Sequence, residues 1–462
     1  MEKEYDFVVL GGGSAGYAGA RTAAALGKRV AVIDGGDPLG GLCILRGCMP
    51  SKTLIYSAEV LHLAQQGSLF GLDIPKAEVD MKALHQRKRA TIAEFAEHRQ
   101  SQLTSGDYDL YRAYSHFVDA HTVELSDGNR LKGHSFLIST GSAINWPEVP
   151  GLDPKSCWTS DDVLELDFVP ESVAVLGGGV VACELAQFLR RMGAEVVQIQ
   201  RSPRLLKECT AESAAVIEGA FRHEGIDLFT DTQLKQIEHH QDGSHEVHFQ
   251  HQGQDVTRSV KHVFNALGRK PATEGVGLEA AGVNTLRSGH VETNAFQQSC
   301  QPHIYAAGDC AGPFEIVHVA ILQGECAAQH AVGAQAAPVN FDHLTRIIFT
   351  DPQIAYVGLE EDEMRKRGYE PQSEDMPFDD HGKSILMEAK RGYVKCWADP
   401  KSRKLLAAEC VGKDASELIH SMAVALPMEA TLDQLLKVHW YHPTLAEIWT
   451  YPIEDLLECL PS

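Results

Sequence analysis

Two stretches of the chain, Tyr5–Ile33 and Ser172–Ile199, repeat one pattern: a short apolar run, a cluster of glycines, an alanine-rich segment and a second apolar run. The runs lie about 20 residues apart, the spacing of a strand, tight turn, helix and returning strand. Parallel strands need a crossover of this length, so the pattern predicts two dinucleotide folds of the doubly wound α/β type. Between them, Met81–Ser105 is rich in Ala, Arg, Lys, Glu and Gln without Gly or Pro, and predicts a long, mostly exposed helix with a solvated charged face. Beyond Phe341 the pattern changes to strands such as Gly392–Trp397 and Lys404–Val411, followed by a helix over Ala415–Leu426. That region predicts a separate α+β domain without a nucleotide fingerprint.

At 462 residues the chain is too long for one core and suggests two to four domains. Its 41 Lys and Arg against 63 Asp and Glu give a net charge of -22, which repels nucleic acid and anionic membranes and excludes a polynucleotide partner. The start of the chain has no basic segment followed by an apolar one. Nothing later approaches the roughly 18 apolar residues of a membrane span, so a cytoplasmic protein is expected. Eleven cysteines, odd in number and without a framework spacing, fit a reducing compartment in which most thiols are free and buried.

The first glycine cluster is Gly11-Gly12-Gly13-Ser14-Ala15-Gly16, set between a strand and a helix as a GxGxxG motif requires. Gly11 permits the tight turn, Gly13 lets backbone N–H groups approach a pyrophosphate, and Gly16 lets helix and strand pack closely, with Ser14 opening the helix. Asp34 ends the next strand, where a carboxylate can accept hydrogen bonds from a ribose. The second cluster is Gly177-Gly178-Gly179-Val180-Val181-Ala182. Its returning strand ends at Gln200-Arg201-Ser202-Pro203-Arg204 rather than at an acid, so Arg201 and Arg204 favour the 2′-phosphate of NADPH, with NADH the alternative.

Close after the first unit comes Gly40-Gly41-Leu42-Cys43-Ile44-Leu45-Arg46-Gly47-Cys48-Met49-Pro50-Ser51-Lys52. Cysteines five apart on an ideal helix have Cα atoms roughly 8 to 9 Å apart, beyond disulfide reach. Pairing would therefore need a distorted first turn, which the neighbouring glycines allow. CxxxxC has no zinc-site logic, and no metal is expected there.

These residues, with Ser139-Thr140-Gly141-Ser142, Gly177–Glu184, Ala266-Leu267-Gly268-Arg269, Ala306-Ala307-Gly308-Asp309 and His442-Pro443-Thr444-Leu445-Ala446-Glu447, carry a resemblance over nearly the whole chain to the pyridine nucleotide-disulfide oxidoreductases. That family includes dihydrolipoyl dehydrogenase, glutathione reductase and mercuric reductase. The resemblance implies an FAD domain over 1–150, completed by a central segment 270–340, an NAD(P) domain over 151–269 and an interface domain over 341–462. It implies FAD and a nicotinamide nucleotide as cofactors and a homodimer in which His442 and Glu447 complete the partner's site. It further implies a redox disulfide between Cys43 and Cys48, with Cys48 nearest the flavin and Cys43 as interchange thiol. Gly41, Thr140, Gly141 and Gly268 would border the cofactors, and Asp309 would bind the flavin ribitol. His318, Val319 and Ala320 would pass the pyrimidine end of the flavin, and Lys52 would pair with Glu184 at its reactive edge. His442 would serve as acid and base with Glu447 orienting it, while His439 is packing or surface.

The remaining nine cysteines, Cys183 among them, are expected to be inert core residues, with Cys459 as the one to weigh. Ile44-Leu45-Arg46 stands where relatives commonly carry Leu-Asn-Val, and Arg46 could lower a thiol pKa or greet an anionic substrate. The substrate is expected to be a dihydrolipoyl group or another small disulfide. The missing acid at Gln200 weakens the former, and Glu325 weakens a glutathione-like reading that Arg21 supports. Metal-ion reduction and a non-catalytic redox-sensing flavoprotein are the further alternatives.

Overall fold

In the computed structural model, which describes residues 3–460, the strand Lys3–Leu10 is buried on both faces from Phe7 to Leu10. Val8 and Leu10 enter one apolar cluster with Phe117 and Phe136, whereas Phe7 and Val9 enter another with Ala20 and Leu137. A continuous apolar run is what a parallel strand covered on both sides requires. The strand pairs in parallel with Val30–Ile33 on one side and Arg130–Ile138 on the other. The sheet continues to Asp109–Tyr111 at one edge and to the antiparallel strands Thr122–Leu125 and Ser115–Asp119 at the other, and Ile304–Ala306 pairs with Arg130–Ile138. Helices Ser14–Ala25 and Val317–Ala331 meet where a Cβ on Gly324 would stand 2.2 Å from the Ala15 carbonyl oxygen, so the approach requires glycine.

This first compact unit gathers the residues up to Leu54 with Lys82–Trp146 and Gly268–Asn340. It holds most of the predicted long helix, observed as Met81–Thr104. Lys88 departs from the expected solvated face and is only 2% exposed.

The second unit comprises Ile55–Met81, Pro147–Leu267 and the chain from Phe341 on. Its parallel sheet runs Asp227–Phe229, Glu195–Ile199, Ser172–Leu176, His262–Asn265, the second doubly wound unit. A three-stranded antiparallel meander follows in sequence, Thr232–His239, His245–His251 and Gln254–Val260. The C-terminal region is a five-stranded antiparallel sheet beneath helices Ala415–Ala425 and Thr450–Cys459, with Trp449 fully buried in its core. Two of its strands, Tyr393–Ala398 and Leu405–Gly412, begin one residue later than predicted. Gly392 is excluded from its strand because it takes φ +108, and a Cβ there would meet the Val411 carbonyl oxygen at 1.7 Å. No helix among the described residues is long and apolar enough to cross a membrane.

Candidate active site

In the first unit the GxGxxG turn is built as its residue types demand. Gly11 takes φ +100, and a Cβ on Gly16 would lie 1.8 Å from the Gly11 carbonyl oxygen. Gly13 caps helix Ser14–Ala25 without a side-chain hydrogen bond, and no atom stands within 4 Å of where its Cβ would be. Glycine at this cap thus leaves the space beside the first helical turn clear, which suits the approach of a phosphate. Asp34 accepts from Gly12 N–H at 2.8 Å and Gly36 N–H at 2.7 Å, which fixes the loop and still leaves lone pairs for a ribose. Further along, Arg269 Nε donates to Ser142 Oγ at 2.8 Å, and Ser142 Oγ–H donates to Asp309 Oδ2 at 2.6 Å. Gly141 (φ +73) and Gly268 (φ +98) have open space where a Cβ would be. Ala320 is buried in helix Val317–Ala331, and His318 is exposed in its first turn.

The cysteines stand on two short helical pieces rather than one. Helix Gly41–Arg46 ends at Gly47, whose φ of -132 and ψ of -115 break the ladder, and Cys48 starts the next helix, Cys48–Gln65. Pro50 sits in that helix's first turn, where no N–H partner is lost. A Cβ on Gly41 would stand 2.8 Å from Gly13 Cα, so the cysteine segment packs directly on the first cradle. The break brings the thiols together: Cys43 hydrogen-bonds to Cys48, and this bond, with burial second, pushes the Cys43 thiol well up while the nearby Lys52 charge opposes it.

In the second unit Gly177 takes φ +123, with the Ala266 carbonyl oxygen 2.4 Å from where a Cβ would stand. Gly179 caps helix Val180–Met192 over open space, as Gly13 does in the first cradle. Glu184, 4% exposed on that helix, accepts from Phe349 N–H at 2.9 Å. Arg201 is exposed, but Arg204 is turned inward and donates to the carbonyls of Lys207 at 2.9 Å and Cys209 at 2.8 Å. The C-terminal pair is formed as expected: His442 Nδ1 lies 2.9 and 3.0 Å from the Glu447 carboxylate oxygens. The imidazole is 77% exposed and the carboxylate only 11%.

Two residues were missed in reading the sequence. His381 is fully buried with Nε2 3.6 Å from Glu447 Oε1, and burial lowers its pKa against the pull of that carboxylate. Gln323 holds the Asp309 loop, accepting from Gly308 N–H at 2.8 Å and donating to the Gly312 carbonyl at 2.7 Å. A polar residue on the face of an apolar helix was the only signal for Gln323, and His381 had none.

Three expectations need correction. Arg21 is engaged by Glu325 at 2.9 Å and is not a spare cation for an anionic substrate. The nine other cysteines are not all core: Cys300 and Cys459 are exposed and Cys209 half-buried, while Cys157, Cys183, Cys310, Cys326, Cys396 and Cys410 are buried. Arg204 spends its guanidinium on backbone carbonyls, which leaves Arg201 as the exposed arginine of that turn.

Two dinucleotide cradles and a paired-cysteine segment packed on the first define a class, the flavin- and nicotinamide-linked disulfide oxidoreductases. The chain belongs to the pyridine nucleotide-disulphide oxidoreductase family, which it matches over residues 5–324, with the dimerisation domain of that family over 344–452. It is 34% identical over 446 residues to a mercuric reductase of Bacillus cereus, covering 96% of this chain and 70% of that one. It is also 34% identical over 449 residues to a dihydrolipoyl dehydrogenase of Thermus scotoductus, covering 96% of each. Among solved structures, LpdA from Mycobacterium tuberculosis superposes with a TM-score of 0.88 at 25% identity, over 98% of this chain and 99% of that one. The flavoprotein disulfide reductase RclA from Escherichia coli, at 24% identity and a TM-score of 0.86 over 99% of this chain and all of that one, shares the fold. The chain is thus an FAD-dependent, NAD(P)H-linked enzyme of this family.

Proposed function

We propose that the chain is a dihydrolipoyl-dehydrogenase-like oxidoreductase, preferring NADPH, whose redox centre is Cys43 and Cys48 and whose substrate is a small dithiol or disulfide. The observation that carries this is the contact of the two thiols across the Gly47 break, on a segment packed against the first cradle. Gly11, Gly13, Ser14, Gly16 and Asp34 fit the dinucleotide end of FAD, and Asp309, fixed by Ser142, fits its ribitol. Bound FAD supplies the two-electron transfer between nicotinamide and sulfur. Gly177, Gly179 and Val180 fit the nucleotide pyrophosphate, and Arg201 fits a 2′-phosphate. Lys52 and Glu184 are assigned to the reacting edge of the flavin by the resemblance.

Because the bond to Cys48 and burial hold the proton on Cys43, interchange needs a base. His442, held by Glu447 through Nδ1, presents Nε2 for that purpose in a homodimer whose second subunit supplies it. Cys43 as thiolate attacks one sulfur of the substrate disulfide, and the departing sulfur takes the proton from the His442 imidazolium. Cys48 then attacks Cys43, which re-forms the internal disulfide and releases the second substrate thiol. The reverse sequence oxidises a dithiol. Reduction of a metal ion is a second reading, favoured by the mercuric reductase relatives.

The test is anaerobic reduction by NADPH and, separately, NADH, followed by the flavin spectrum of wild type and Cys48→Ser. A long-wavelength thiolate-to-flavin band in wild type that is lost in the variant supports the assignment, and the faster nucleotide settles the cofactor. A band that survives the substitution refutes it. Turnover with lipoamide, glutathione disulfide or Hg(II) then separates the substrates.

A further inference from the structure

Five of the chain's 22 histidines fall between residues 239 and 251, on the antiparallel meander of the second unit. The register sorts them. Glu238 is directly opposite Glu246, and His248 is opposite Gln236 on one side and Thr257 on the other. Side chains alternate faces along a strand, so Glu238, His240, Glu246 and His248 project from one face and His239 and His245 from the other. On that other face His239 Nε2 donates to the Gly151 carbonyl at 2.7 Å and His239 Nδ1 meets His245 Nδ1 at 2.7 Å, so those rings are spent on each other and on the chain.

The first face is different. His248 Nε2 lies 3.6 Å from Glu238 Oε1 and 3.7 Å from Glu246 Oε2, and His240 Nε2 lies 3.9 Å from Glu246 Oε1. All three separations exceed a hydrogen bond. One ligand atom each from Glu238, His240 and Glu246 lies within 4.8 Å of the others. A tetrahedral site with bonds of about 2.1 Å has ligand-to-ligand edges of about 3.4 Å, so a pair at that limit would have to close by about 1.4 Å as the ion drew the side chains in. His248 is independently prepared. Its Nδ1 bonds Thr257 Oγ1 at 2.8 Å, and its Nε2 is shielded from solvent without a hydrogen-bond partner. With Nδ1–H as donor to the threonine, Nε2 carries the free lone pair, the arrangement by which an outer hydrogen bond fixes a ligating histidine. Gln236 Nε2 similarly donates to Glu238 Oε1 and fixes that carboxylate.

We propose that Glu238, His240, Glu246 and His248 form a binding site for one divalent first-row transition ion. Two imidazoles and two carboxylates suit a borderline ion such as Zn(II) or Co(II). Magnesium and calcium prefer oxygen alone, and soft ions prefer thiolates. The ion would clamp the first two strands of the meander, joining four residues whose carboxylates otherwise repel across the Glu238–Glu246 pair.

The experiment is a Co(II) titration of the chelator-treated, FAD-loaded enzyme, read as a difference spectrum against the flavin. The expected result is one equivalent with nitrogen- and oxygen-ligated d–d bands and no thiolate-to-cobalt charge transfer, displaced by Zn(II). That equivalent is lost in His240→Ala/His248→Ala, weakened about 10-fold or more in Glu238→Gln, and kept in His239→Ala/His245→Ala. Glu238→Gln keeps the size and shape of an exposed side chain, so its folding is secure even if the double variant is damaged. Unchanged cobalt stoichiometry and affinity in Glu238→Gln, or binding dominated by a thiolate charge-transfer band, overturns the proposal.

Discussion

The buried His381 and the exposed His442 share one carboxylate oxygen, Glu447 Oε1, at 3.6 Å and 2.9 Å respectively. Burial lowers the His381 pKa from its ordinary 6.5, with Glu447 pulling the other way. His381 is therefore neutral at neutral pH, and the Glu447 charge is left for His442. The folded state binds this proton less readily than the unfolded state. No penalty exists above about pH 6.5; it grows as pH falls from there to the lowered value and is constant below. Thermal unfolding of wild type and His381→Asn between pH 7.5 and 5.5 checks this. Wild type should lose more stability than the variant on acidification; equal losses would show that His381 titrates normally.

If His442 and Glu447 act only in thiol interchange, their loss should split the reaction in two. His442→Gln should lower disulfide-dependent turnover by roughly 10²- to 10⁴-fold, the usual worth of an acid–base group. Oxidation of NAD(P)H by an artificial dye, which bypasses the cysteines, should hold within about 3-fold, since no acid–base group is asked for there. Glu447→Gln should fall in the same direction but less far, because the imidazole remains. A parallel loss of both activities in His442→Gln would place the residue elsewhere in the mechanism.

The two cradles make opposite predictions for an added methyl group. Gly16→Ala puts a Cβ 1.8 Å from the Gly11 carbonyl oxygen and 2.6 Å from Ser139 Oγ, so backbone must shift, at a cost of roughly 1 to 3 kcal/mol or more. Gly179→Ala meets nothing within 4 Å. It should change stability by no more than about 0.5 kcal/mol, yet its methyl group stands where the nucleotide pyrophosphate would approach. Flavin content and unfolding midpoint should therefore fall for Gly16→Ala and hold for Gly179→Ala, while KM for the nicotinamide nucleotide rises only in the latter.

These contrasts mark what the sequence could and could not convey. Gly11, Gly16 and Gly177 were legible because backbone of positive φ or close approach leaves glycine no substitute, and local spacing alone carries that message. His442 and Glu447 are five residues apart, so their contact also follows from a short motif. His381 and Glu447 are joined by tertiary packing across 66 positions, the difference of their numbers, and no local period encodes such a pair. The same holds for Gln323 beneath Asp309, and for Arg21, whose partner Glu325 is 304 residues away. Cys300 was misjudged because an exposed and a buried thiol look alike without the fold.

The proposed preference for NADPH rests on one of two arginines that sequence treated alike. Arg204 donates to the Lys207 and Cys209 carbonyls, so Arg204→Ala strips two acceptors of their donor and should cost roughly 1 to 3 kcal/mol of stability whichever nucleotide is used. Arg201 is exposed, and its removal should leave the unfolding midpoint in place. A charge-assisted hydrogen bond from Arg201 to a 2′-phosphate is worth roughly 1.5 to 3 kcal/mol, so Arg201→Ala should lower kcat/KM for NADPH by roughly 10- to 150-fold and leave NADH nearly unchanged. The neighbouring Gln200 is held by Arg201 N–H at 3.1 Å and stands where an acid would bind a ribose. Gln200→Glu added to Arg201→Ala should then raise NADH use, because a carboxylate accepts from both ribose hydroxyls and repels a phosphate. Steady-state kinetics with both nucleotides decide the matter: equal losses for NADPH and NADH in Arg201→Ala would remove Arg201 from nucleotide selection.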